Sequence, residues 1–184
     1  MRLFHRKVDA AAEFSCPVEL LFEVLTDYDN YRDWFPNISG SALAAQAGEV
    51  TIALLDLAAP YKGQIALESV HTANSSVVTR LLNAGTGAET IEWELQEMPG
   101  GRSRVTLTIE GYSSLPLGPG RMGLLDAQRM LAALRSYMQV FSSGVAADGG
   151  DGDLLVEIVE TQNGLTCWWK GRQYEMRPVD GGLS

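Results

Sequence analysis

The residue types that carry acid–base, metal or nucleophilic chemistry are thinly spread in this chain. Its two histidines, His5 and His71, stand far apart and lack His or Cys partners at ligand spacing, so no metal site is expected. No Gly-x-Ser-x-Gly turn is present to present a serine nucleophile. Gly85-Thr86-Gly87 reads as a hairpin turn and not as a phosphate loop. Asp27, Tyr28, Asp29 and Asn30 cluster between two helical stretches, where their expected work is capping and turning the chain. That leaves polar side chains isolated within apolar strands. Arg80, in Val77-Val78-Thr79-Arg80-Leu81-Leu82, shares a face with Val78 and Leu82, and Thr79 shares the other with Val77 and Leu81. If the Val78 face turns inward, Arg80 is a buried donor in need of an anionic or carbonyl partner; if outward, it is a solvated edge. Asp56, in Leu54-Leu55-Asp56-Leu57, poses the same question. Acid–base catalysis needs at least two converging polar groups, and Arg80, Asp56, Thr79 and Tyr112 are the candidates.

Apolar candidates are more numerous. Trp34 and Phe35 offer large surfaces either to a flat apolar ligand or to a core. Trp93, between Ile91 and Leu95, and Leu107 on the next strand are open to the same two readings. Met122, Met130 and Met138 fill irregular gaps, whether in a core or around a ligand. Leu115 and Leu117 stand on a loop with two prolines and two glycines, Ser113 to Gly120, where they either plug the end of the core or line a mouth.

The elements that position these residues follow from periodicity. His5–Phe14 alternates as an opening strand. A helix follows, with Ser15 or Cys16 at its N-cap, Pro17 in its first turn, and Leu20, Leu21, Val24 and Leu25 as its buried stripe. Tyr31 to Phe35 forms a short helical turn ended by Pro36. From Ile38 the period becomes two. The expected strands are Ser39–Gln46, Glu49–Leu57, Tyr61–Thr72, Ser76–Asn83, Glu89–Glu97 and Arg102–Tyr112. Their short joints require antiparallel pairing. Ile91, Trp93 and Leu95, then Val105, Leu107 and Ile109, mark one apolar face, which needs a cover. Leu124, Ala127, Leu131, Leu134, Met138 and Phe141 recur every three or four residues and predict that cover: a helix from Pro119 to Ser142, roughly 35 Å long at about 1.5 Å per residue. Residues 144–153, GVAADGGDGD, read as a linker. Leu154–Glu160, Leu165–Trp169 and Gln173–Arg177 then read as three short strands, too few to be stable alone.

Composition narrows the partners. Fourteen Lys and Arg against 23 Asp and Glu leave a net charge of -9, with no basic stripe for nucleic acid or for an anionic membrane surface. Cys16 and Cys167, far apart in sequence, read as two unrelated reduced thiols, with one long-range disulfide as the alternative. The charged N-terminus lacks a signal-peptide run, and no stretch approaches the roughly 20 apolar residues of a membrane span, so a cytoplasmic protein is expected.

The order strand, helix, short helix, six strands, long helix, together with CPVELLFEVLTDYDNYRDWFPNI at residues 16–38, resembles the START-like (SRPBCC) superfamily of helix-grip proteins. Within it the chain is most similar to the branch of polyketide cyclase/dehydrase-like and coenzyme Q-binding proteins. Pro17, Phe22, Val24, Leu25, Asp27, Tyr28, Tyr31, Trp34 and Pro36 stand where that branch has its small-residue–Pro, VFxVLTDYxxY and WxP elements. The resemblance spans about residues 5 to 143 and leaves out the tail from Leu154. It implies an α+β helix-grip (START/Bet v 1-like) fold: a curved antiparallel sheet of about seven strands gripping a long C-terminal helix, with two short helices after the first strand. A small β-hairpin extension is added here. The division expected is a helix-grip domain at 1–143, a linker at 144–153 and the extension at 154–184.

The resemblance further implies a cavity between sheet and helix for a hydrophobic small molecule, either a lipid, a quinone or a polyketide-like compound. Trp34, Phe35, Arg80, Trp93, Leu107, Leu115, Leu117, Met122, Leu131, Leu134 and Met138 are the residues expected to line it. No cofactor is expected. Two alternatives stand beside binding: a polyketide cyclase or dehydratase acting in the same cavity, and an interaction module, with a homodimer formed through the C-terminal extension.

Overall fold

Period-two alternation from Ile38 onward builds the centre of the molecule. The computed structural model describes residues 4–82, 88–113, 121–122, 125–142, 156–161, 164–169 and 172–176. Seven strands form one antiparallel sheet: β1 (Phe4–Phe14), β2 (Ile38–Ala47), β3 (Val50–Leu57), β4 (Gln64–Thr72), β5 (Ser76–Leu81), β6 (Ala88–Met98) and β7 (Arg102–Ser113). Strands β2 to β7 follow one another as a meander, and β1 pairs with β7, giving the order β1-β7-β6-β5-β4-β3-β2. β1 and β2 are therefore the two opposite edges. Bulges interrupt β2 between Ile38 and Gly40 and between Leu43 and Ala45, and β6 between Ala88 and Thr90, which bends these strands. β4 begins three residues later than its pattern predicts. Ala58 to Gly63 turns instead: the Tyr61 N–H donates to the Ala58 carbonyl at 3.0 Å, the Leu57 N–H donates to the Gly63 carbonyl at 2.9 Å, and Gly63 takes φ +117.

The inner face of the sheet is buried and mostly aliphatic. It carries Val8 and Ala10 on β1, Val105, Leu107 and Ile109 on β7, Ile91, Trp93 and Leu95 on β6, Val77 and Leu81 on β5, Ile65 and Leu67 on β4, and Ala53 and Leu55 on β3. Because β1 and β2 lie at opposite edges, the chain between them must cross this face. It does so as α1 (Val18–Thr26) and a 3-10 helix, η1 (Tyr28–Asp33). α1 packs on β5 and β6, and η1 packs on β2 and β3. α1 opens one residue later than expected, with Pro17 itself at the N-cap and no side-chain cap, since Pro17 is extended at φ -67 and ψ 153. Ser103 Oγ donates to the Cys16 carbonyl at 2.7 Å and pins this corner to β7.

The C-terminal helix is shorter than its periodicity predicts. α2 runs from Ala127 to Ser142, about 24 Å at 1.5 Å per residue. Ahead of it, β8 (Arg121–Met122) and β9 (Leu125–Asp126) pair antiparallel. Gly118, Pro119, Gly120 and Gly123 disfavour helix over this stretch. Asp126 then starts the helix, its Oδ1 accepting from the Arg129 N–H at 3.0 Å as an N-cap side chain does. Ala127, Met130, Leu131, Leu134 and Met138 are buried on α2, which packs on β1 and β7. No described helix is long and apolar enough to cross a membrane. Beyond α2, β10 (Val156–Thr161), β11 (Gly164–Trp169) and β12 (Arg172–Met176) form a three-stranded antiparallel sheet.

Candidate functional site

The inner face is not apolar throughout. One row across it runs Thr51 on β3, Ser69 on β4, Thr79 on β5, Ile91 on β6, Ile109 on β7 and Val8 on β1, each opposite the next in the ladder. Hydroxyls occupy its β3–β5 half and aliphatic side chains the other half. Thr51, Ser69 and Thr79 are the buried polar side chains here, exposed by 2%, 1% and 3%. Ser69 Oγ and Thr79 Oγ1 bond each other at 2.9 Å, whereas Thr51 Oγ1 has no partner among the described residues.

Two further polar groups join this row. Tyr28, where α1 gives way to η1, is buried, and its hydroxyl lies 2.8 Å from His71 Nε2 on β4. The hydroxyls of Ser69 and Thr79 are close enough to act on it as well. Burial pushes the Tyr28 hydroxyl up to about 12, against the smaller opposing pull of those two hydroxyls. Burial also holds the His71 imidazole below its ordinary value of 6.5. At neutral pH the cluster is therefore a set of uncharged groups, each able to donate or accept. His71 stacks on the Tyr28 ring at 5.8 Å and meets Phe22 of α1 edge-on at 6.2 Å.

Beside this patch lies an aromatic cluster. Tyr31 packs on Tyr28 at 4.9 Å, on Trp34 at 5.0 Å and on Phe35 at 5.4 Å, and Trp34 meets Trp93 at 6.0 Å. The Tyr31 hydroxyl donates to the Leu25 carbonyl, and burial raises its pKa well above the ordinary value. The neighbouring acids hold the chain in place: Asn30 Nδ2 donates to Asp27 Oδ2 at 2.8 Å, and Asp29 Oδ1 accepts from the Leu43 N–H of β2 at 2.7 Å.

Trp34, Phe35, Trp93, Leu107, Leu131, Leu134 and Met138, all expected around a ligand, are buried on the inner side of the sheet or on the facing side of α2. Leu115 and Leu117 lie outside the described residues, and Met122 stands in β8. Arg80 is a correction. Its side chain is 69% exposed and pairs with Glu68 at 3.8 Å, because alternation along β5 sends Val77, Thr79 and Leu81 inward and leaves Val78 and Arg80 outside. Asp56 is likewise exposed. It packs against Gly40, where a Cβ would lie 2.6 Å from Asp56 Oδ2, and accepts from Gln64 Nε2 at 3.0 Å. Tyr112 is exposed and meets His5 edge-on at 5.4 Å. Of the four candidates for acid–base chemistry, only Thr79 turns inward.

Sequence reasoning missed Tyr28, Thr51, Ser69 and His71 as a group. They come from a helix junction and two strands, and the signal available was parity: Thr51 alternates with Ala53 and Leu55, as Thr79 does with Val77 and Leu81.

Comparison with solved structures places the fold. Zhui aromatase/cyclase from Streptomyces sp. R1128 is 18% identical, covers 74% of this chain and 86% of its own, and superposes with a TM-score of 0.54. A START superfamily protein from Mycobacterium smegmatis is 16% identical, with coverage of 74% and 98% and a TM-score of 0.59. The STAR-related lipid transfer protein from Xanthomonas axonopodis is 18% identical, with coverage of 71% and 84% and a TM-score of 0.51. These likenesses establish the α+β helix-grip architecture. No curated protein matches the chain. The family pattern described as polyketide cyclase/dehydrase and lipid transport matches residues 5–139. That match takes in the whole seven-stranded sheet, the crossing helices and most of α2, and the chain belongs to this family.

Proposed function

We propose that this protein binds a hydrophobic small molecule, a lipid, quinone or polyketide-like compound, between the inner face of the sheet and α2. The supporting observation is the make-up of that face: aliphatic and aromatic side chains over most of its area, with the uncharged polar groups gathered at one place. Small-molecule sites have this composition, since apolar surface supplies affinity and a few placed polar groups supply orientation. Burying the ligand contributes about 25 cal/mol per Å² of apolar surface, so fit dominates over any one polar contact. Trp93, Leu107, Leu131, Leu134 and Met138, with the aromatic cluster around Trp34 and Phe35, are the walls of the proposed site. Native mass spectrometry of the purified protein, followed by organic extraction, tests the reading. A stoichiometric apolar adduct is expected. A bare chain that also takes up no lipid, quinone or fused-ring probe in titration overturns it.

The Tyr28–His71 pair favours a second reading, a cyclase or dehydratase of carbonyl substrates, because it offers two adjacent groups able to move a proton. Under that reading Tyr28→Phe abolishes turnover of a polyketide-like substrate while leaving its uptake measurable. Turnover that survives the substitution rejects it.

A further inference from the structure

Thr51 has a hydroxyl with nothing to bond among the described residues. The side chain is 2% exposed and Oγ1 meets no partner. Ladder pairing sets it directly across from Ser69, which bonds Thr79 at 2.9 Å, and the Tyr28 hydroxyl, 2.8 Å from His71 Nε2, feels both of those hydroxyls. A buried hydroxyl of this kind gains its hydrogen bond only when another polar atom joins the cluster.

Resting on the apolar-ligand reading above, we propose that Thr51, Ser69 and Thr79, with Tyr28 and His71, form a subsite for one uncharged oxygen of the ligand, a ketone, quinone or hydroxyl oxygen. The subsite fixes direction: the oxygenated end lies over β3–β5, and the hydrocarbon lies toward β6, β7 and α2, where the same ladder row turns to Ile91, Ile109 and Val8. Charge excludes the carboxylate class. Among the described residues no cation belongs to the cluster: Arg80, the basic residue on β5, is on the outer face beside Glu68. Of the five groups, only His71 is not fully buried, so it is the side from which an oxygen approaches.

The test compares three fluorescent probes of one skeleton, naphthalene, 1-naphthol and 1-naphthoate, titrated into the full chain at neutral pH. Wild type is expected to bind 1-naphthol about three- to tenfold more tightly than naphthalene, the worth of one good hydrogen bond, and to bind 1-naphthoate least well. Thr51→Val keeps the shape and removes the unpartnered hydroxyl. It is expected to collapse the naphthol-to-naphthalene ratio toward one while melting no lower than wild type. Thr79→Val, which leaves Thr51 in place, is the second variant and is expected to narrow the ratio too. Uptake of all three probes without a naphthol preference overturns the subsite and leaves the apolar-ligand reading standing. A ratio unchanged in both folded variants, or tightest binding of 1-naphthoate, also overturns it. Failure of all three probes to bind overturns the underlying reading as well.

Discussion

At the scale of single residues, His71 has the most exposed position in its cluster and the clearest dependence on pH. Its ring faces Tyr28 and Phe22. Burial lowers its pKa in the folded state below 6.5. The unfolded chain therefore takes up this proton first as pH falls, and the stability linked to it is complete above about 6.5 and lost progressively below it. Thermal melts between pH 7.5 and 5.5 are expected to show this decline in wild type and a shallower one in His71→Gln, which keeps a donor and an acceptor beside Tyr28. Parallel slopes in the two proteins would remove His71 from the account. Arg80 gives the opposite case. Its pair with Glu68 is largely solvated, so Arg80→Ala is expected to change stability by under about 0.5 kcal/mol and to leave apolar-probe binding as it was. A large loss of binding in that variant would mean that the residue reaches the ligand.

At the scale of elements, the start of α2 is decided by one side chain. Apolar residues continue at helical spacing upstream of Ala127, yet the helix begins there because Asp126 caps it, with glycines and a proline before it. Asp126→Ala is expected to cost about 1 kcal/mol, read as a lower denaturation midpoint with an unchanged m value. Asp126→Asn should recover most of it. A helix boundary of this kind is poorly legible in sequence, since periodicity reports which face is buried and not where the hydrogen-bonded ladder begins. The strands were far more legible. In β6 and β7 each apolar position alternates with a polar one, and Ile91, Trp93, Leu95, Val105, Leu107 and Ile109 are the buried set. β5 was ambiguous because Val77 and Val78 make both faces apolar at its start, so Arg80 and Thr79 had equal claims to the interior. The polar cluster was hidden for a different reason. Thr51, Ser69 and Thr79 are neighbours only through the ladder register, and small hydroxyl residues suit a wet face as well as a buried row. Tyr28 arrives over them from a helix junction, where sequence alone shows only turn chemistry.

At the scale of the whole molecule, the sheet is complete without the C-terminal tail. The ladder closes from β2 to β7 and then to β1, and the two crossing helices and α2 all precede residue 143. The family match also ends within α2, at residue 139. We therefore expect a chain cut after residue 143 to unfold in one cooperative step, with stability within about 1–2 kcal/mol of the full chain. The m value should fall only by what the smaller surface exposed on unfolding requires. Circular dichroism melts and denaturant titrations of the two chains side by side decide the matter. A truncated chain that keeps its far-ultraviolet signal but melts without a cooperative transition would show that β10–β12 help to hold the main sheet. If the shortened chain folds and still takes up 1-naphthol in preference to naphthalene, then sheet, crossing helices and α2 suffice for both the fold and the proposed oxygen subsite. The tail would then have to act elsewhere, and comparing the sedimentation of the two chains would test its proposed part in forming a homodimer.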